Sequence, residues 1–294
     1  MANNEEVEPE YFTKQCMFPG EIEEEVSIRL CSKRPLDHYA TNVNLTGHAI
    51  WFAGNNMCDM IASDPSLFSC RNLLELGSGT GVGGIFCAAV VARFQQRILS
   101  HDNDPLQAEE PSVGKQTFLL TDGFEDVVTN LRHNIELNHD LFVGAQQSPD
   151  VFCEQLQWGD ETTMSKILDT HTEGQLFDVI LGADLLYSAE TEQDIKCLFS
   201  TVKYLLARSP SARFYLSYTR RKLDISKAIA IAETFDLESA VHPMFTYDLF
   251  DNNTEEQTAF WRDSIYVFRH SSKSLGISRS KNDAIFDHVA DDVF

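Results

Sequence analysis

Basic side chains are scarce in this chain: 23 lysines and arginines stand against 45 aspartates and glutamates, for a formal net charge of -22. Such a balance excludes a general binder of nucleic acid or of an anionic membrane surface, since both need a positive face. It points instead to a cationic partner, such as a basic protein segment presenting lysine. Cysteine pairing is missing too. The seven cysteines are odd in number and scattered, with no Cys-x-x-Cys spacing, so neither a disulfide framework nor a metal site is expected. Reduced, mostly buried thiols in the cytoplasm or nucleus are. The opening Met1-Ala2-Asn3-Asn4-Glu5-Glu6 lacks the basic and then apolar stretch of a signal peptide, and no apolar run reads as a bilayer span. A Gly-Lys-Ser/Thr ending is absent from the glycine-rich stretch, which removes a P-loop.

What is present is an ordinary globular composition, with 43% hydrophobic and 23% charged residues over 294 positions, enough to bury a sizeable core. The chain is organised around Leu73-Leu74-Glu75-Leu76-Gly77-Ser78-Gly79-Thr80-Gly81-Val82-Gly83-Gly84. An apolar run meets a glycine-rich turn, and a second apolar run from Ile85 to Ala92 follows, which reads as strand, tight loop and helix. Few Cβ atoms in the turn let a ligand approach the backbone, and the helix start offers free N–H groups and a positive dipole end. A nucleotide-like ligand is therefore expected here. Gly79, Gly81 and Gly84 also satisfy Gly-x-Gly-x-x-Gly, a fingerprint shared with dinucleotide-binding folds.

Around that centre the elements alternate. Residues 1–20 are polar and acidic and read as an unpacked arm. Val26, Ile28 and Leu30 alternate as a half-buried strand does, and Ile50, Ala53, Met57 and Met60 have helical spacing. After the central helix, two segments compete for the second core strand. Arg97 to Asp102 would offer Asp102 or Asp104 as a ribose acid, and Phe118 to Gly123 would offer Asp122, followed by a helix bearing Val127, Val128, Leu131 and Ile135. Val151 to Leu156, Phe177 to Ala183, Phe214 to Tyr218 and Ser264 to Phe268 are further strands. The stripe Ile195, Leu198, Phe199, Val202, Leu205 is a helix face. Phe235 to Leu237 starts a strand that pairs with the last one across an exposed turn at Asp251 to Glu256. The expected fold is α/β, a doubly wound and mostly parallel sheet with an antiparallel hairpin at its C-terminal end and a strand and helix added at its N-terminal end. Residues 21–270 form one domain, with 271–294 a polar tail. Ligands in such sheets lie beyond the carboxyl ends of the strands, so Gly77 to Gly81, Asp122, Trp158 and Asp184 are expected to converge on one crevice.

Glu75-x-Gly77-x-Gly79-x-Gly81 resembles motif I of the seven-strand S-adenosylmethionine (AdoMet) methyltransferases. With Gly47-x-x-x-Trp51, Thr121-Asp122, Asn134 and Asn138, Trp158-Gly159 and Asp184-x-x-Tyr187, the chain resembles the DxxY group of methyltransferase-like protein lysine methyltransferases, from about Glu21 to His270. The resemblance implies a Rossmann-like seven-stranded sheet and AdoMet as cofactor. It also selects Asp122 as the ribose acid and makes 97–116 an insertion. Glu75, Gly77, Ser78, Gly79 and Gly81 would surround the amino-acid end of the cofactor, Glu75 on its ammonium side. Trp51, Trp158 and Ala183 would border it, Trp158 beside the adenine. Asp184 would hold the incoming amine and Tyr187 would wall its channel. The implied reaction is methyl transfer to a lysine of a protein substrate. The competing readings are a small-molecule N-methyltransferase on the same scaffold, an inactive AdoMet-binding adaptor for a basic partner, and an NAD-linked oxidoreductase, which leaves the DxxY motif without a role.

Overall fold

Residues 8–32, 47–101, 115–142, 148–186, 191–219, 225–248 and 262–276 are described by the structure, a computed structural model. The described residues open with two antiparallel strands, β1 (Glu10–Phe18) and β2 (Ile22–Leu30), paired from Glu10 with Leu30 to Phe18 with Ile22. Helix α1 (Phe52–Ser63) leads into β3 (Asn72–Leu76) and α2 (Val82–His101). Next come β4 (Thr117–Asp122), α3 (Glu125–Leu137), the one-turn α4 (His139–Phe142) and β5 (Asp150–Gln155). Helix α5 (Glu161–His171), β6 (Val179–Ala183), α6 (Glu192–Leu205), β7 (Arg213–Thr219) and α7 (Ile225–Thr234) continue the alternation. Strands β8 (Leu237–Asp248) and β9 (Arg262–His270) and the single turn α8 (Ser272–Leu275) close it.

Seven strands form one sheet in the order β5-β4-β3-β6-β7-β9-β8. The first five are parallel, and β9 enters antiparallel between β7 and β8. Counted from β3, the order is 3-2-1-4-5-7-6, the expected doubly wound sheet with its terminal hairpin. The winding reverses at β3, which has β4 on one side and β6 on the other, so a crevice opens at their carboxyl ends. The central strands are buried on both faces, as their unbroken apolar runs require. One apolar cluster joins α1, α2 and the β1–β2 hairpin to the sheet, and a second joins α5, α6 and α7 to the other face.

Three expectations change. The acidic arm expected over 1–20 is a strand from Glu10 onward, because Cys16 and Phe18 are buried and Phe12 meets the Phe86 ring edge-on at 5.9 Å. Glu24, on the inward face of β2, pairs with Arg93 and Arg97 of α2, and Lys14 pairs with Asp59. The insertion expected from Arg97 starts as helix, since α2 runs on to His101 and no proline intervenes before Pro105; residues 102–114, with Asp102 and Asp104, lie outside the described residues. The tail expected from Ser271 begins with a capped turn, where the Ser271 hydroxyl accepts the Ser274 N–H and Gly276 ends it at φ 66°; residues 277–294 lie outside the described residues, as does the turn at Asp251 to Glu256.

Among the described residues one window, Val82–Leu99, is long and apolar enough to cross a membrane, and 72% of it is buried within the fold. Helix α2 is apolar nearly all round because sheet and hairpin cover opposite sides of it. All seven cysteines are free. Burial raises the thiol pKa of Cys16 to about 12, which makes it a poor nucleophile.

Candidate functional site

The loop after β3 carries three glycines in the left-handed region, Gly77, Gly79 and Gly81, at φ 59°, 55° and 83°. Their neighbours give each a different reason. A Cβ on Gly77 would stand 2.6 Å from Leu185 Cδ2, and one on Gly79 would stand 3.1 Å from the Gly47 carbonyl oxygen. One on Gly81 would stand 2.4 Å from Leu131 Cδ1 and 2.8 Å from Ile85 Cδ1. So Gly77 and Gly79 let the loop close against the segments flanking the crevice, while Gly81 seats α3 on the start of α2.

Ser78 staples the loop to β4. Its N–H donates to the Thr121 carbonyl at 2.8 Å, and its hydroxyl accepts the Thr121 N–H at 3.0 Å. Asp122, at the end of β4, accepts the Gly79 N–H on Oδ2 at 3.1 Å and the Phe124 N–H on Oδ1 at 3.2 Å. Burial raises its pKa, and the N–H groups of Phe124, Gly79 and Gly123 work against that rise. The carboxylate keeps lone pairs that these two bonds do not use, and Asp122 lines the open cavity.

Glu75 lines the same cavity but turns its carboxylate toward the first turn of α2, where Oε2 accepts the Gly84 N–H at 3.1 Å. Any side chain at Gly83 or Gly84 would collide with it, at 2.3 Å from Oε1 and 2.8 Å from Oε2. Burial pushes the Glu75 carboxyl up to about 7, against the pull of the Ser78 and Gly84 hydrogen bonds.

The entry element is explained by contact as well. Gly47 sits where a Cβ would be 2.6 Å from Val127 Cγ2, at the start of α3. Trp51 is the residue that opens α1 rather than a member of the helix; its carbonyl accepts the Gly54 and Asn55 N–H groups at 3.0 and 3.2 Å, and its side chain borders the cavity. Trp158 follows β5, with Cζ2 3.8 Å from the Cβ position of Gly77, and the Gly159 N–H donates to Thr201 Oγ1 at 2.8 Å.

At the end of β6, Ala183 and Asp184 complete the wall. Asp184 is buried and adopts φ 55°, unusual for a residue with a side chain, with its N–H donating to the Ser217 carbonyl at 2.9 Å. Leu185 explains how that turn is held: its methyls occupy the space left by Gly77 and by Gly182, 2.6 and 2.5 Å from where their Cβ atoms would be.

One cavity of about 210 Å³ thus collects Trp51, Glu75, Gly77, Ser78, Gly79, Asp122, Trp158, Ala183 and Asp184 from five chain-distant segments. Gly81 is not among its lining residues, and Tyr187 lies outside the described residues. Sequence reasoning named Gly47 as part of the entry motif, and it lines the cavity; missed were Phe124, which is 41% exposed, Leu185 and Gln157. An aromatic following an acid-glycine turn was the available signal for Phe124; Leu185 was visible only as part of the Asp184 motif.

Residues 32–233 match the family model described as lysine methyltransferase. The chain belongs to that family. Among curated relatives of this chain, a putative uncharacterized protein of Dictyostelium discoideum is 27% identical over 230 residues, 70% of this chain and 57% of that one. The protein-lysine N-methyltransferase EFM3 of Chaetomium thermophilum is 27% identical over 180 residues, 60% of this chain and 43% of that one. The protein-lysine N-methyltransferase EEF2KMT of Mus musculus is 26% identical over 189 residues, 62% and 47% of the two chains. The chain spans about half the length of these relatives.

Proposed function

We propose that this protein transfers the methyl group of AdoMet to the ε-amine of a lysine on a protein substrate. The observation that carries the reading is the meeting of the Gly77–Gly79 loop and Asp184 in one cavity at the carboxyl edge of the sheet. The residues fit the cofactor. Gly77 and Gly79 keep the loop free of side chains, Asp122 has acceptor capacity for two ribose hydroxyls, and Trp158 and Phe124 supply apolar and aromatic surface for a purine. Glu75 and Ser78 stand at the loop for the amino-acid end. When bound, AdoMet supplies a methyl already activated by its sulfonium.

The protein then has to align an amine with that methyl and keep water away. A lysine titrates near ~10.4 in water, and entering a partly apolar cavity disfavours its charged form. Asp184 accepts an N–H of the amine and so orients its lone pair; its carboxylate is too weak a base to deprotonate lysine by itself. Trp51 and Leu185 supply apolar walls beside it. Among the described residues the N-terminal hairpin packs over α2 and none of its residues lines the cavity, which favours a protein substrate over a small amine enclosed by an N-terminal lid. The net charge of -22 favours a substrate segment that is basic around its lysine.

Incubation with radiolabelled AdoMet and a cell lysate, followed by mass spectrometry of any labelled protein, tests the reading. A methylated lysine supports it, and labelling of small molecules alone sinks it. Asp184→Ala is expected to cut turnover by a factor of about 100 or more while AdoMet affinity changes little. Equal loss of both would make Asp184 a cofactor or folding residue.

A further inference from the structure

Among the described residues, three carboxyl groups and no lysine, arginine or histidine line the cavity. Glu75, Asp122 and Asp184 are 3%, 8% and 4% exposed, so each ionises against lost hydration and in the company of other acids. Glu75 is held less well than Asp122. Two backbone N–H groups, those of Gly79 and Phe124, donate to Asp122, whereas the one backbone donor to Glu75 is the Gly84 N–H. Glu75 also stands in the middle of the sheet, in register with Leu120 of β4 and Leu181 of β6, so apolar side chains flank it on its own face. The titratable groups that face it are Asp122 at the end of β4, the Cys58 thiol of α1 and the Cys87 thiol of α2. Asp122 adds repulsion. The thiols, pushed by burial well above their ordinary range, stay neutral. A carboxyl so placed keeps its proton, in accord with its rise to about 7.

We infer that Glu75 is protonated in the ligand-free protein and releases its proton to solvent when AdoMet binds, so that the cavity exchanges a proton for the cofactor's positive charge. AdoMet carries a sulfonium and an ammonium group against one carboxylate, and a cation brought close to a buried carboxyl favours its ionised form. The O–H bond of Glu75 breaks, its electron pair stays on the carboxylate, the proton passes to the buffer and the cofactor is chemically unchanged. Loading of the cofactor is thereby tied to pH. Below the folded value of Glu75 a proton has to leave for AdoMet to bind, so affinity falls as pH drops and levels off above about 7. The inference rests on the proposed function and deepens it by adding a control on cofactor loading.

Calorimetric titration of the full chain with AdoMet at pH 6, in buffers of different ionisation enthalpy, counts the protons released. An α-amino group titrates near ~7.8, so the cofactor's own ammonium stays charged there and the count reports on the protein. A carboxyl at about 7 is expected to release about 0.9 proton per AdoMet bound. Affinity should tighten about five- to tenfold from pH 5.5 to 6.5. Glu75→Gln, which keeps the volume and an acceptor for the Gly84 N–H, should release almost none and lose that slope. If the variant does not fold or bind, the infrared difference spectrum of wild type decides: loss of a carboxylic acid C=O band on adding AdoMet supports the exchange, and an unchanged band overturns it. AdoMet bound by wild type without proton release overturns the exchange and leaves the proposed function standing, and so does a Glu75→Gln protein that releases as much as wild type. If wild type does not bind AdoMet, the proposed function falls and the exchange with it.

Discussion

Glycines of one loop separate cleanly by what a methyl group at each would strike. Gly81 faces Leu131 and Ile85, so Gly81→Ala crowds the core and strains a left-handed backbone, with an expected loss of about 2–4 kcal/mol in urea unfolding. Gly79 lines the cavity, and a methyl group on it would meet the Gly47 carbonyl oxygen, so Gly79→Arg forces the loop away from that segment and is expected to abolish a rise in melting temperature with AdoMet; a rise equal to wild type would remove the loop from the proposed cofactor site. Glu75 gives a pH signature. Its folded carboxyl, raised from 4.5 to about 7, keeps a proton that the unfolded chain releases between those values. Its contribution to stability is therefore complete below about 4.5 and is lost as pH rises through about 7. Glu75→Gln should flatten the fall in melting temperature of the ligand-free protein between pH 5 and 8, and an identical slope in both proteins would count against a buried, protonated Glu75. The identity of these residues was legible from Glu75-x-Gly77-x-Gly79, but their orientations were not, because a tight turn sends successive residues to different neighbours.

Helix α3 and the end of β2 show the same limit for whole elements. Asn134 and Asn138 stand one turn apart in the sequence. In the fold they stand in for a missing β-strand. Asn134 Oδ1 accepts the Cys31 N–H at 2.8 Å, and its Nδ2 donates to the Thr80 carbonyl at 2.9 Å. Asn138 Oδ1 accepts the Arg29 N–H at 2.7 Å, and its Nδ2 donates to the Arg29 carbonyl at 2.6 Å. The hairpin is thereby tied to the glycine loop through one buried amide. Asn134→Leu leaves the Cys31 N–H and the Thr80 carbonyl without this partner, and about 2–4 kcal/mol of stability should go with them in urea unfolding. AdoMet affinity, read by calorimetry, should weaken as well, because Thr80 lines the cavity proposed to hold the cofactor. Strand β1 itself was readable in hindsight from the alternation of Phe12, Cys16 and Phe18, but Lys14 interrupts the apolar set. The position is tolerated because Asp59 of α1 receives the ammonium group.

Across the whole molecule, the charge of -22 bears on how a partner arrives rather than on how the cofactor is held. If the substrate segment is basic, KM for it should rise several-fold between about 50 and 300 mM salt as the attraction is screened. Affinity for uncharged-edge contacts within the cavity should move far less, and a KM insensitive to salt would point to an apolar docking mode. The sequence by itself determined the alternation of strands and helices, the glycine turn at the centre and the acids at the strand ends, because periodicity and turn chemistry act over a few residues. It also carried the family, through short motifs that keep their spacing. Only the tertiary structure decided that Gly81 supports the core, that Glu75 turns toward the helix start, and that an acidic N-terminal stretch folds over α2. Those outcomes depend on which segments meet across the sheet, and contacts between distant segments leave no local pattern in the chain.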